Sequence, residues 1–180
     1  MKILKLDKTG NPFSWLTIRE AAEFYVHDIV LWTPEVNNQV VMFGGINNNG
    51  VRSKLEIAPI IAVKGRVLPL TSRTTIVNDI LFARDNNTCQ YCNVVGGRLT
   101  RDHIIPRGYG GKDIWTNVVT SCFRCNTSKG CRTPEEAGLT LNVKPYAPNS
   151  FEHMYFKNFK KATQEQIEYL SRGFKHKELT

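Results

Sequence analysis

Thr17-Ile18-Arg19-Glu20 stands directly ahead of Ala21, Ala22, Phe24 and Tyr25, an apolar set spaced for one face of a helix. Threonine followed three residues later by glutamate is a reciprocal capping box, so the pattern predicts a helix of about ten residues. Short β-branched or aromatic runs follow at 29–32, 39–43 and 57–63, separated by Pro34, Gly44-Gly45 and Asn47-Asn48-Asn49-Gly50, and these predict strands and turns. Ile76, Val77, Ile80, Leu81 and Ala83 carry helical spacing over 75–84. Beyond them the pattern shortens. Strands are predicted near 98–100 and 117–120, flanking a long loop that contains Gly108-Tyr109-Gly110-Gly111, and a short helix over 122–128 is ended by Gly130. Thr133-Pro134-Glu135-Glu136 predicts a helix start, and Thr163-Gln164-Glu165-Gln166 opens a final amphipathic helix through Leu170. The fold class predicted is α+β: a mixed α/β N-terminal lobe over 1–72, a core over 73–140, and a C-terminal helical extension over 141–180.

Composition narrows the class without naming a chemistry. Over 180 residues, 41% are hydrophobic and 22% charged, which excludes wholesale disorder. No apolar run approaches the ~20 residues of a spanning helix, and the charged opening of the chain is unlike a signal peptide, so a cytoplasmic protein with no membrane partner is expected. The net charge is +8. Between residues 98 and 132, Arg98, Arg101, Arg107, Lys112, Arg124, Lys129 and Arg132 face only Asp102 and Asp113. Such a concentration favours a polyanion such as nucleic acid, although basic side chains are mostly exposed in any protein.

Cysteine placement changes the picture more. Cys89-Gln90-Tyr91-Cys92 and Cys122-Phe123-Arg124-Cys125 are two Cys-x-x-Cys pairs, and Cys131 stands apart as an ordinary thiol. Two-residue gaps let each pair bite a metal from one tight turn, so Cys89, Cys92, Cys122 and Cys125 are expected to hold a structural Zn2+. Four thiolates leave no open position for water, which makes this metal a staple and not a catalyst.

Between the pairs lies Arg101-Asp102-His103-Ile104-Ile105-Pro106-Arg107, then Trp115-Thr116-Asn117-Val118-Val119, and the second pair runs into Asn126-Thr127-Ser128-Lys129-Gly130. This order resembles the HNH endonuclease family, whose core is a ββα-metal motif, over residues 89–130. The likeness extends to 132–138 and to features of 69–84. The resemblance implies a metal-dependent endonuclease acting on nucleic acid, with DNA the expected partner, and products ending in a 5'-phosphate and a 3'-hydroxyl. Its catalytic residues would be His103 as general base, Asp102 and Asn126 as ligands of a catalytic Mg2+ or Mn2+, and Asn117 as the residue that holds the loop carrying His103.

Chemistry agrees with these roles. A neutral imidazole accepts a proton from water near cellular pH, and Mg2+ takes hard oxygen ligands while keeping part of its shell for water and phosphate. Neighbouring residues in an extended segment diverge, so Asp102 and His103 would serve metal and water separately. Arg107, Arg124 and Lys129 are candidate phosphate contacts, with Lys129 equally suited to a structural role near a helix C-terminus. Tyr109 and Trp115 would stack on bases or pack. Phe151, Tyr155, Phe156 and Phe159 alternate with Lys157, Lys160 and Lys161 in a stretch that would either lie along DNA or dock the last helix. Two rivals are a non-catalytic zinc module that binds nucleic acid and a nuclease subunit recruited through its first lobe. A homodimer would supply two sites, but the sequence shows no oligomer seam.

Overall fold

A computed structural model describes residues 1–35, 38–65, 67 and 75–176, which form a mixed α+β fold. Its elements in chain order are β1 (Ile3–Leu6), β2 (Pro12–Leu16), α1 (Ile18–Val26), β3 (Val30–Trp32), β4 (Val40–Ile46), β5 (Arg52–Ile57), β6 (Ile60–Val63), α2 (Asn78–Arg84), β7 (Leu99–His103), β8 (Val118–Cys122), α3 (Phe123–Lys129), α4 (Ser150–Asn158) and α5 (Gln164–Ser171). The chain divides into two compact units, Met1–Ser72 with Asn149–Thr180, and Arg73–Pro148. The boundary expected at 72/73 lies outside the described residues.

In the first unit β1 and β6 pair in parallel at the centre of a four-stranded sheet ordered β2-β1-β6-β3. Alternate residues of a strand point to opposite faces, and here both faces are covered. Ile3, Ile61 and Val63 pack with Leu16, Ala21 and Ile57 on the side of α1, whereas Leu4, Leu6, Ile60 and Ala62 pack with Met154 of α4 and Leu170 of α5 on the other. A strand buried on both faces needs no polar alternation, which is why β6 reads Ile-Ile-Ala-Val and is buried throughout. Each such Ile or Leu contributes about 1.5–3 kcal/mol on burial.

β1 and β2 were not expected from the sequence, because Lys5 and Pro12 interrupt the apolar pattern. The structure accommodates both: the Lys5 ammonium lies over the rings of Phe13 and Phe24 at 4.2 and 5.1 Å, and Pro12 opens an edge strand where a missing N–H is tolerated. Gly44-Gly45 does not separate strands. It lies inside β4, where the pairing with β5 slips between Phe43↔Lys54 and Ile46↔Arg52, a bulge that glycines relieve.

α4 and α5 complete the second core of the first unit, and the buried Gln166 amide donates to the carbonyls of Lys2 and Pro59 at 2.9 and 2.8 Å. Phe151, Tyr155 and Phe156 therefore pack rather than face a ligand, while Lys157, Lys160 and Lys161 stay exposed.

The second unit is built on the antiparallel β7–β8 hairpin followed directly by α3. Among the described residues its large buried apolar side chains are few, Ile80, Leu81, Trp115, Val118 and Val119, and a buried charge network ties it together. Arg84 at the end of α2 pairs with Asp85 at 2.8 Å and donates to the carbonyls of Trp115, Val118 and Tyr146, and Asp85 in turn accepts from the Thr120 amide. The helix expected to begin at Thr133 is a single turn: Glu136 and Thr133 cap each other, but Gly138 turns left-handed at φ +67 and ends it.

Candidate active site

The hairpin and α3 bring the two cysteine pairs together. Cys122 ends β8 and caps α3, its sulfur accepting from the Cys125 amide at 3.4 Å. The other pair sits on a tight turn where the Asn93 amide bonds the Cys89 carbonyl and Asn93 is left-handed. All four sulfurs lie within 4.8 Å of one another, and Cys92 and Cys122 are 3.8 Å apart. Zn–S bonds of ~2.3 Å in a tetrahedron place sulfurs about 3.8 Å apart, so the donor set and its spacing fit a metal, with zinc the natural occupant. Cys131 is exposed and stands outside this group.

At the far end of β7 Asp102 and His103 point to opposite sides. Asp102 is 5% exposed. Its Oδ1 accepts from the Lys129 ammonium at 3.0 Å and its Oδ2 from the Tyr91 hydroxyl at 2.5 Å. Burial, followed by the hydrogen bond and charge of Asp102, pushes the Tyr91 phenol above its usual range and keeps it a donor. From the sequence Lys129 is equally open to a phosphate contact and to a structural role, and the structure buries it. It is 1% exposed, because the face of α3 that carries it packs on β7, and its ammonium also donates to the His103 carbonyl at 2.7 Å.

The His103 side chain is 20% exposed, and its Nε2 lies 3.0 Å from Asp113 Oδ1. Asp113 is held in turn by Arg101, whose Nη1 reaches both carboxylate oxygens at 3.1 Å. Arg101 is anchored through Nε to Asn78 Oδ1 and through Nη2 to the Ile76 carbonyl, each at 3.0 Å. Desolvation alone would raise the Asp113 carboxyl; the hydrogen bonds and charges of Arg101 and His103 outweigh it and hold the group below the usual carboxylate range.

Asn117 is nearly buried and clasps the loop that leaves β7. Its Oδ1 accepts from the Ile105 amide at 3.0 Å, and its Nδ2 donates to the carbonyls of Ile105 and Lys112 at 3.1 and 2.9 Å. Gly111 closes the same loop so tightly that a Cβ there would collide with the Ile105 carbonyl. Asn126, on α3, donates through Nδ2 to Thr100 Oγ1 at 2.8 Å and to the Arg101 carbonyl at 3.3 Å. Thus β7 carries or contacts His103, Asp102, Asn126 and Lys129. Arg107, Arg124 and Tyr109 are exposed, and Trp115 is buried as a packing residue.

Sequence reasoning missed Asp113, Arg101 and Tyr91 as members of this site. Arg101 and Asp113 had counted only as charge, and Tyr91 only as a spacer within the first cysteine pair. Nothing in linear spacing marks Asp113, ten residues beyond His103 across a loop.

Residues 89–142 match the family of HNH endonucleases. This HNH segment holds all four cysteines, His103 with its neighbours, and the 132–138 stretch, and it falls within the second unit. It spans under a third of the chain. The features at 69–84 lie outside it, and 69–74 also lie outside the described residues. No curated protein matches the chain. The family implies nuclease chemistry, with nucleic acid as substrate, for this unit. Among the described residues, no helix is long and apolar enough to cross a membrane.

Proposed function

We propose that the protein is a metal-dependent endonuclease that cuts DNA, with the β7–β8 hairpin and α3 serving as its ββα-metal core and His103 as the general base. The observation that carries this reading is a solvent-reached, side-chain-anchored His103 at the end of a strand inside the HNH segment. A water proton passes to the imidazole, the water oxygen bonds to phosphorus, the P–O3' bond breaks, and the 3' oxygen takes a proton from solvent. Asn117 keeps the His103 loop in register. Arg107 and Arg124, exposed and basic, suit phosphate contacts that position the strand.

Asp102 and Asn126 are the residues that would hold a catalytic Mg2+ or Mn2+, since a carboxylate and an amide on packed elements are the hard oxygen donors such ions take. When bound, the ion supplies positive charge at the scissile phosphate and the leaving oxygen. Lys129 and Tyr91 set a condition on this site: Asp102 Oδ1 accepts from the Lys129 ammonium and Oδ2 from the Tyr91 hydroxyl, so a cation held by Asp102 must displace one of these partners.

The test is nicking and linearisation of supercoiled plasmid with Mg2+ or Mn2+ by the full chain and by His103→Ala. General-base catalysis is worth about 10²–10⁴-fold, so the variant should lose at least that much while keeping its zinc. Equal cutting by both chains would sink the base assignment, and tight DNA binding with no metal-dependent cutting by the native chain would sink the nuclease reading.

A further inference from the structure

A neutral imidazole has one N–H and one lone pair, and only the lone pair can take a proton from water. Which nitrogen carries the hydrogen is set by the bond the other makes. In this protein the partner of Nε2 is a carboxylate, 3.0 Å away. An ionised carboxylate only accepts, so a neutral His103 bonded to it must place its hydrogen on Nε2 and its lone pair on Nδ1.

The carboxylate is itself fixed. Arg101 grips Asp113 through both oxygens at 3.1 Å and is held from behind by Asn78 Oδ1 and the Ile76 carbonyl at 3.0 Å. Arg101 and His103 lie on one face of β7, two residues apart, so a single acidic side chain arriving from the loop meets both. The neighbouring Lys129 bond to the His103 carbonyl steadies the backbone of the same residue from the α3 side.

We propose that Asp113, clamped by Arg101, is the positioning residue of His103, selecting the tautomer and ring orientation that present Nδ1 to the attacking water. This rests on the reading of His103 as the base. Asp113 touches no reacting atom. When Nδ1 gains the water proton, the hydrogen on Nε2 stays bonded to the Asp113 carboxylate, so the ring keeps its orientation through the step.

Two measurements test the inference separately from the base assignment. Two-bond proton–nitrogen correlation NMR of the imidazole rings of the zinc-loaded full chain, in mildly alkaline buffer, reports tautomers directly. With four histidines in the chain, the His103 signals are assigned by their loss in His103→Ala. The native chain should show His103 with its hydrogen on Nε2, and Asp113→Ala should lose that preference; an Nδ1–H tautomer in the native chain overturns the proposal outright. In steady-state cleavage of an oligonucleotide duplex, Asp113→Ala should lower kcat about 10–100-fold with KM little changed, the range usual for removing a supporting hydrogen bond, and Asp113→Glu should recover part of it. Full kcat in a folded Asp113→Ala chain overturns the proposal even where His103→Ala is inactive. Should His103→Ala cut as well as the native chain, the base reading fails, and the NMR result still decides whether Asp113 sets the tautomer.

Discussion

Lys129 shows how much a single side chain settles at this site. Its ammonium is buried between the Asp102 carboxylate and the His103 carbonyl, which joins α3 to the strand that carries both residues. Replacing it by methionine strands a 5%-exposed carboxylate with only Tyr91 as a hydrogen-bond partner among the contacts described above. Removing one partner of a buried ion pair costs about 3–5 kcal/mol, so Lys129→Met should lower the urea midpoint by a corresponding amount. Adding Asp102→Asn in the same chain should return part of that loss, because the stranded charge is gone. A loss below about 1 kcal/mol in the single variant would show that the pair is not a determinant of stability. The sequence marked Lys129 as notable but not its direction, because a lysine at the end of a short helix reads the same whether that face is wet or packed.

At the level of elements, the second unit is held by buried polar contacts to a degree that its apolar residues do not foreshadow. The helix signal over α2 is visible in Ile80 and Leu81, yet the residue that joins α2 to β8 is Arg84, 3% exposed and bonded to three carbonyls and Asp85. Arg84→Met should destabilise by about 3–5 kcal/mol, leaving Asp85 uncompensated and removing the donor that Arg84 supplies to the carbonyls of Trp115, Val118 and Tyr146. Thermal or urea unfolding followed by far-UV circular dichroism checks this, and an unchanged midpoint would refute it. In contrast, the capping boxes of α1 and α5 were legible residue by residue, because threonine, two intervening residues and a carboxylate or amide define a local contact that needs no tertiary partner.

Across the whole molecule the two units are built differently: one holds two apolar cores, the other a four-cysteine cluster that fits a metal together with the Arg84–Asp85 network. Loading should give one zinc per chain, and a strong chelator should unfold Arg73–Pro148 while leaving the sheet of the first unit intact. Zinc analysis with limited proteolysis checks both parts; Cys122→Ser should lose the metal, and a metal-free native chain with an undigested second unit would refute the assignment. By itself the sequence determined what local spacing encodes: the α+β class, the two capped helices, the paired cysteines and the HNH-like order around Asp102, His103, Asn117 and Asn126. Only tertiary structure decided the rest. It placed the last two helices in the core of the first unit, because an amphipathic face does not say which surface covers it, and it turned Lys129 inward. It also brought Asp113, ten positions further along the chain, to His103, a meeting fixed by the Asn117 clasp and the close approach at Gly111 rather than by any periodicity in the chain.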